Sequence, residues 1–167
     1  SELKGIQFAA LRYFNAAGYD LSGRIQGLEQ NPANLLPIVM ETAIGNRNSM
    51  QVFGDDYNTE DGTGIRDYIH VADLAVAHIK AINYLMDEKA NLTVNLATGN
   101  GFSVLDIINQ AREVSGRAIP YKIVDRRPGD PSELVAVSKL SKKMFNWECQ
   151  YSNIKTIMES MWNVYNA

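Results

Sequence analysis

IQFAALRYF, residues Ile6 to Phe14, is the stretch on which the fold class turns. It is short, mostly apolar and ends in aromatics, so it reads as a strand buried on both faces, of the kind found in parallel sheets. A strand of that kind needs neighbours, and the five residues before it (SELKG) can supply none. The sequence therefore predicts a first element separated from the rest of its sheet.

Working outward, residues 15–34 are rich in Asn, Gly, Ser and Pro and predict a long loop. Leu35 to Ile44 predicts a helix with Pro37 in its first turn, where a missing N–H costs little, and with Gly45 and Asn46 as its stop. Gln51 to Phe53 predicts a short strand, and Gly54 to Gly64 an acidic, glycine-punctuated loop. Arg66 to Val71 reads as an extended segment entering a helix over Ala72 to Met86, with Leu74 (or Ala75), His78, Ile82 and Leu85 on one side. Thr93 to Leu96 predicts a strand. Ser103 opens a further helix, with Asp106 as its capping-box partner and Gly116 just past its end. Tyr121 to Val124 and Leu134 to Val137 predict two more short strands. In the last helix Ile154, Ile157, Met158, Met161, Trp162 and Tyr165 keep helical spacing behind a Ser152 cap, a stripe that reads as core. Strands and helices alternate, so the expected class is mixed α/β.

Composition narrows the functions. The chain has 167 residues, an amount suited to one domain, and a formal net charge of −3, which gives no electrostatic footprint for nucleic acid. Charges interrupt every apolar stretch well short of the roughly 18 residues that suggest a membrane span. Cys149 is the lone cysteine, so no internal disulfide can form, which fits a reducing cytosol or simply a free thiol. The chain starts with neither an initiator Met nor a signal-peptide pattern, and the expectation is that it is the back part of a longer protein.

Several chemistries find no motif. Gly62/Gly64 and Gly99/Gly101 each begin a G-x-G-x-x-G, but the third position is Asp67 or Val104. His70 and His78 have no Cys or carboxylate at ligand spacing, so no metal site is expected. The acidic run Asp55, Asp56, Asn58, Glu60, Asp61 has Asp61 where a calcium loop needs its Gly, and reads as a solvated loop. Tyr151 and Lys155 match Y-x-x-x-K, but they straddle the start of the last helix: Tyr151 reads as a packing residue and Lys155 as solvated.

Other residues converge on an anionic, planar ligand. Glycines flank Thr63 and let the backbone approach a ligand closely, and Arg66 at the end of that turn can hold phosphate by two parallel hydrogen bonds. The alternative is a structural Arg66–Asp67 network. Arg126 and Arg127, next to a rigid Pro-Gly turn, offer further phosphate donors, and Asp130 can accept from a ribose hydroxyl; an exposed, solubilising turn is the competing reading. Phe53 can lie against a base or simply end a strand in the core. Asn15 follows Tyr13-Phe14 at the carboxyl end of the first strand, where ligands bind in open α/β sheets, and it offers both a donor and an acceptor.

Taken together, LRYFN (Leu11 to Asn15), NLLP (Asn34 to Pro37), VFGDDYNTEDGTGIRDYIHVADLA (Val52 to Ala75), NLATGNGFSVLDII (Asn95 to Ile108) and RRPGDP (Arg126 to Pro131) resemble the UDP-glucose 4-epimerase family, enzymes of the extended short-chain dehydrogenase/reductase type. The resemblance implies that residues 1–15 are the last strand of a cofactor-binding half. Residues 16–167 would then be a UDP-sugar-binding domain, with segments that pack on that half. It implies that the NAD fingerprint and the catalytic Tyr/Lys pair lie upstream of this chain, so that no catalytic residue falls within it. NAD would be held mainly by the other half, with Phe14 touching its nicotinamide side. Asn15 would contact the hexose or its phosphate. Asn34 and Leu35 would line the diphosphate and uridine end, and Phe53 would cover the uracil, with the backbone around Gln51 helping. Arg66 and Arg127 would bind the diphosphate beside Tyr68, and Asp130 would hold the ribose. The intact enzyme would be a cytoplasmic homodimer of galactose metabolism that interconverts UDP-galactose and UDP-glucose by NAD-mediated oxidation and reduction at C4. Its partner is the UDP-sugar, with no nucleic acid or membrane. Three departures stand out: Leu134 where a hexose-facing Tyr or smaller residue is usual, Ala16 in place of a Pro, and an unmatched loop over residues 26–33. Half of another nucleotide-sugar dehydratase or epimerase, or a non-catalytic UDP-sugar-binding domain, are the alternatives.

Overall fold

A computed structural model of the chain describes residues 5–88 and 90–167. In chain order the first elements are β1 (Ala9–Arg12), β2 (Asn15–Ala17), α1 (Leu35–Ala43), β3 (Met50–Phe53), β4 (Ile65–Arg66), β5 (Tyr68–His70) and α2 (Val71–Glu88). There follow β6 (Leu92–Asn95), β7 (Phe102–Ser103), α3 (Val104–Ser115), β8 (Tyr121–Val124), β9 (Glu133–Leu134), α4 (Lys139–Phe145) and α5 (Ile154–Tyr165). The class is mixed α/β. The strands form small ladders rather than one broad sheet. β1 runs parallel to β6, β2 to β5 and β3 to β8, while β4 takes antiparallel β7 on one side and parallel β9 on the other.

Two apolar cores result. In one, α1, α3 and α5 bring Val39, Met40, Ile107, Ile108, Ile157 and Met158 together, all fully buried, against Met50 and Val52 of β3. The capping box of α3 is formed as the sequence predicts: Ser103 Oγ accepts from the Asp106 N–H at 3.0 Å and Asp106 Oδ2 accepts from the Ser103 N–H at 2.9 Å. Gly116 ends that helix in the left-handed conformation. In the other core Trp147 packs with Ala77 and Ala81 of α2 and with Leu92, Val94 and Leu96.

Several sequence expectations change. The first strand is shorter than Ile6 to Phe14 and is not buried on both faces: Ala9 and Leu11 pack on the second core, while Ile6, Phe8, Tyr13 and Phe14 are exposed. The reason is that the second core covers only one face of β1; β6 pairs one of its edges, and no strand among the described residues pairs the other. The segment expected as loop from residue 15 contains β2, which its hydrogen bonds to β5 hold extended. On α2 the buried side is Asp73, Leu74, Ala77 and Ala81, whereas Ile79 and Ile82 are 60% and 57% exposed. Small alanines let the helix approach Trp147, a preference that counting large apolar residues misses. The strand expected at Leu134 to Val137 is β9, one residue earlier and shorter. α4 was not expected; its KLSKKMF sequence has too little apolar periodicity to announce a helix. The cap of α5 is Asn153, whose side chain accepts from the Lys155 N–H at 2.9 Å.

Ser152 does other work. Its hydroxyl donates to Asp73 Oδ2 and accepts from the His70 N–H at 2.8 Å. Asp73, 2% exposed, also accepts from the backbone N–H groups of Gln150 and Tyr151, both at 2.9 Å. The start of α2 is thereby tied to the entry of α5. Tyr151 is partly exposed with its ring 6.3 Å from that of His70, and Lys155 is exposed.

Candidate functional site

One cavity of about 580 Å³ opens where β3, β4, β5 and β8 meet the amino end of α1 and the turn after β8. Pleating explains its floor. Met50 and Val52 are 2% and 1% exposed, so the alternate residues Gln51 and Phe53 turn their side chains to the cavity. Asn15, Asn34, Leu35, Phe53, Arg66, Tyr68, Arg127 and Asp130 all line it. These residues come from five separate stretches of sequence.

Each is held by an identifiable local contact. Arg66 is fixed by β4 between β7 and β9; it donates to its neighbour's carbonyl on Ile65 at 2.7 Å and to Asp130 Oδ1 in an ion pair. The alternative Arg66–Asp67 network is not formed. Instead Asp67, buried, accepts from Thr98 Oγ1 at 2.7 Å and from the Gly99 N–H at 3.1 Å. The Asp67 carbonyl accepts from Asn15 Nδ2 at 2.9 Å, which leaves the Asn15 carbonyl oxygen as the acceptor of that side chain. Arg127 lies over the Phe53 ring, 4.0 Å from its centroid. The adjacent arginines diverge: Arg126 stacks on Tyr57 at 5.0 Å and pairs with Asp56 at 2.7 Å, and it does not line the cavity. Only one of the two is therefore placed as a donor to a ligand there.

The acidic loop is structural at its end. Asp61 Oδ1 accepts from the Thr63 N–H and Oγ1, both at 2.8 Å, and Oδ2 accepts from Ser103 Oγ. Burial pushes the Asp61 carboxyl up, and the hydrogen bonds from Ser103 and Thr63 outweigh it and hold it below the usual carboxylate range. Burial raises the Tyr68 phenol far above its usual range, against the pull of Arg66, so Tyr68 meets the cavity as a neutral group that can donate.

Phe14 and Leu134 stand apart from the cavity. Phe14 is 47% exposed beyond the end of β1, and Leu134 lies beside Arg66 in the β4–β9 register without lining the cavity. Arg47, Tyr57 and Lys122 line the cavity and were not singled out from sequence. For Lys122 a signal existed in the alternation of β8, but its meaning depends on pairing with Gln51. In each glycine pair that begins a dinucleotide pattern, one glycine packs directly against protein. A side chain at Gly62 would meet the Asp55 carbonyl at 2.0 Å and one at Gly101 would meet Ile65 Cγ2 at 2.3 Å, so these glycines admit protein rather than ligand. Among the described residues no group of three or more His, Cys, Asp or Glu side chains could hold a metal ion, and no helix is long and apolar enough to cross a membrane. Burial pushes the Cys149 thiol up to about 11, so it is not a thiolate nucleophile near neutral pH.

Among the described residues the wall carries four cations, Arg47, Arg66, Lys122 and Arg127, against one carboxylate, Asp130. With the neutral Tyr68, the aromatic Phe53 and the amino end of α1, this gives an α/β module whose cavity is chemically suited to an anion that carries a planar group. The chain belongs to the NAD-dependent epimerase/dehydratase family, whose model matches residues 1–97. It is 47% identical over 163 residues to the UDP-glucose 4-epimerase of Halalkalibacterium halodurans, covering 97% of this chain and 48% of that protein. The crystal structure of a UDP-glucose 4-epimerase from Stenotrophomonas maltophila with NAD and a formylated UDP-arabinopyranose superimposes with a TM-score of 0.92 at 39% identity, over 96% of this chain and 48% of that one. A UDP-glucose 4-epimerase from Bifidobacterium longum in complex with NAD+ and UDP gives a TM-score of 0.87 at 38% identity, over 96% and 48% of the two chains. The chain spans about half the length of the curated relatives it matches.

Proposed function

We propose that this chain supplies the UDP-sugar pocket of a UDP-glucose 4-epimerase, an enzyme that interconverts UDP-galactose and UDP-glucose in galactose metabolism in the cytoplasm. The observation that carries the reading is the meeting of Asn15, Asn34, Leu35, Phe53, Arg66, Tyr68, Arg127 and Asp130 around one cationic cavity. Arg66 and Arg127 grip the diphosphate, helped by the first-turn N–H groups of α1 behind Asn34 and Leu35. Phe53 carries the uracil, Asp130 accepts from the ribose, and Asn15 meets the hexose or its phosphate. Held at the nucleotide, the hexose can turn, so the grip on a remote part of the substrate is spent on positioning.

NAD, when bound, supplies the hydride acceptor at C4. Of this chain's residues Phe14 reaches toward it, and Gly62 and Gly101 are packed against protein and offer it no cradle. NAD is therefore held mainly by residues outside this chain. β1 is the last strand of that cofactor-binding half, and residues 16–167 make up the UDP-sugar domain; residues 1–4 of the segment assigned to that strand from sequence lie outside the described residues. The uncovered edge of β1 and the exposed Val76, Ile79, Ile82 and Met86 of α2 are where the halves pack. The intact enzyme is a homodimer.

The test is calorimetric titration of the chain with UDP-glucose, dTDP-glucose and GDP-mannose. The reading expects UDP-glucose to bind most tightly; preference for dTDP or GDP would assign the pocket to another nucleotide-sugar enzyme. The chain alone is expected to convert no UDP-galactose, and turnover by preparations free of other epimerase would contradict the division of labour.

A further inference from the structure

Asn100 is followed by Gly101, and no other asparagine of the chain precedes a glycine. Both residues are exposed, in the loop between β6 and β7. The Asn100 N–H donates to Thr98 Oγ1 at 3.0 Å, whereas its carboxamide makes no hydrogen bond among the described residues. The Gly101 N–H is left over by the β4–β7 ladder. Arg66 stands opposite Phe102 there, and the N–H groups of Ile65 and Asp67 turn the other way, to Ser132 and Leu134, so the ladder uses the backbone of Phe102 rather than that of Gly101. Packing nevertheless demands the glycine: a side chain at 101 would meet Ile65 Cγ2 at 2.3 Å and Val135 Cγ2 at 2.8 Å. Nothing on Gly101 therefore shields its nitrogen from the side chain before it.

We infer that Asn100 is a modification site, at which the chain converts spontaneously to aspartate and isoaspartate. The Gly101 nitrogen bonds to Asn100 Cγ and closes a five-membered succinimide. The carboxamide C–N bond breaks, and its NH2 leaves as ammonia with the proton from the Gly101 N–H. Water then opens the ring at one carbonyl to give aspartate or at the other to give isoaspartate, and either product adds a negative charge. Asp61 also precedes a glycine, but Thr63 and Ser103 hold its carboxyl as a carboxylate, a poor electrophile. In isoaspartate the main chain runs through Cβ and Cγ and is one atom longer. Gly101 is packed against Ile65 and Val135, so the added atom displaces Phe102 and, through their pairing, Arg66. The effect on ligand binding rests on the nucleotide-pocket reading above; the modification does not.

The experiment is incubation of the folded chain at mildly alkaline pH, followed by intact mass, peptide mapping and isoaspartyl methyltransferase labelling. Asn100→Gln and Asn100→Asp run beside it, with thermal melting as the check on their fold. A gain of about 1 Da is expected to map to Asn100, with much of it methyl-accepting. It is expected to be absent from Asn100→Gln, whose carboxamide must close a slower six-membered ring. No gain at Asn100, or a gain spread evenly over the other asparagines, would overturn the inference. Ion exchange separates the modified chain by its added charge. The isoaspartate form is expected to bind UDP about tenfold more weakly than Asn100→Asp, which carries the same charge on an ordinary backbone. Equal affinity would overturn the coupling to Arg66 and leave the modification standing. No UDP binding by the fresh chain would remove the pocket reading and the coupling together, while the mass gain decides the modification by itself.

Discussion

Arg66 and Asp130 are 64 residues apart in sequence and joined by an ion pair across the wall of the cavity, with their side chains 16% and 33% exposed. β4 pins the arginine between two strands, and the Pro128-Gly129 turn presents the aspartate. The pair offsets the only carboxylate lining the cavity among the described residues, so the net charge there stays positive. It also orients the guanidinium, whose planar fork suits an anion with two oxygens to offer.

Arg66→Ala is therefore expected to weaken UDP binding by about tenfold to a hundredfold, the range for loss of a charge-assisted hydrogen bond. Titration calorimetry reads this directly. Unchanged affinity would take Arg66 out of the binding machinery.

Gly62 has φ +78°, and a side chain there would meet the Asp55 carbonyl at 2.0 Å. Backbone strain and overpacking act together, so Gly62→Ala is expected to lower unfolding free energy by about 2 kcal/mol or more. Because this turn leads into Arg66, the same variant is expected to bind UDP more weakly. Urea denaturation alongside the titration checks both effects.

Asp73 has a different part. It takes three hydrogen bonds, from Gln150, Tyr151 and Ser152, while almost fully buried. Asp73→Ala orphans those donors and is expected to cost about 3 kcal/mol in urea unfolding. Since none of these residues lines the cavity, UDP affinity of the folded fraction is expected to hold.

His70 gives acid sensitivity. It is fully buried; its Nδ1 accepts from the Ala72 N–H at 3.0 Å, and its Nε2 lies 3.3 Å from Ser160 Oγ. Desolvation lowers its pKa below 6.5, against the opposing pull of Asp73. The unfolded chain then binds more protons than the folded one below about pH 6.5, so stability falls as pH drops through that value toward the lower folded pKa and is full above it. A melting series from pH 8 to pH 5 is expected to show that fall, smaller in His70→Gln. Equal slopes in the two proteins would assign the acid sensitivity elsewhere.

Local signals carried much of this architecture. Ser103 with Asp106, Gly116 past the end of α3 and the Ile154–Tyr165 stripe of α5 each speak through neighbours three or four residues away, and each is found where expected. What stayed hidden depended on distant partners. β2 is a strand because of β5, and the alanine face of α2 exists because Trp147 lies 66 residues beyond Ala81 in the chain and fills the space beside it. The same divide runs through the cavity. Arg66, Arg127 and Asp130 stand in short, glycine- or proline-shaped turns and could be read singly. Arg47 and Lys122 sit in unremarkable sequence and gain meaning only once α1, β3 and β8 are brought together.

The most direct measurement is an NMR titration of the isotopically labelled chain with UDP, with dTDP and GDP as controls. The account predicts selective, saturable shifts at Phe53, Arg66, Arg127 and Asp130 with UDP, and weaker or absent shifts with the controls. A well-dispersed spectrum in which UDP moves none of these resonances would contradict it.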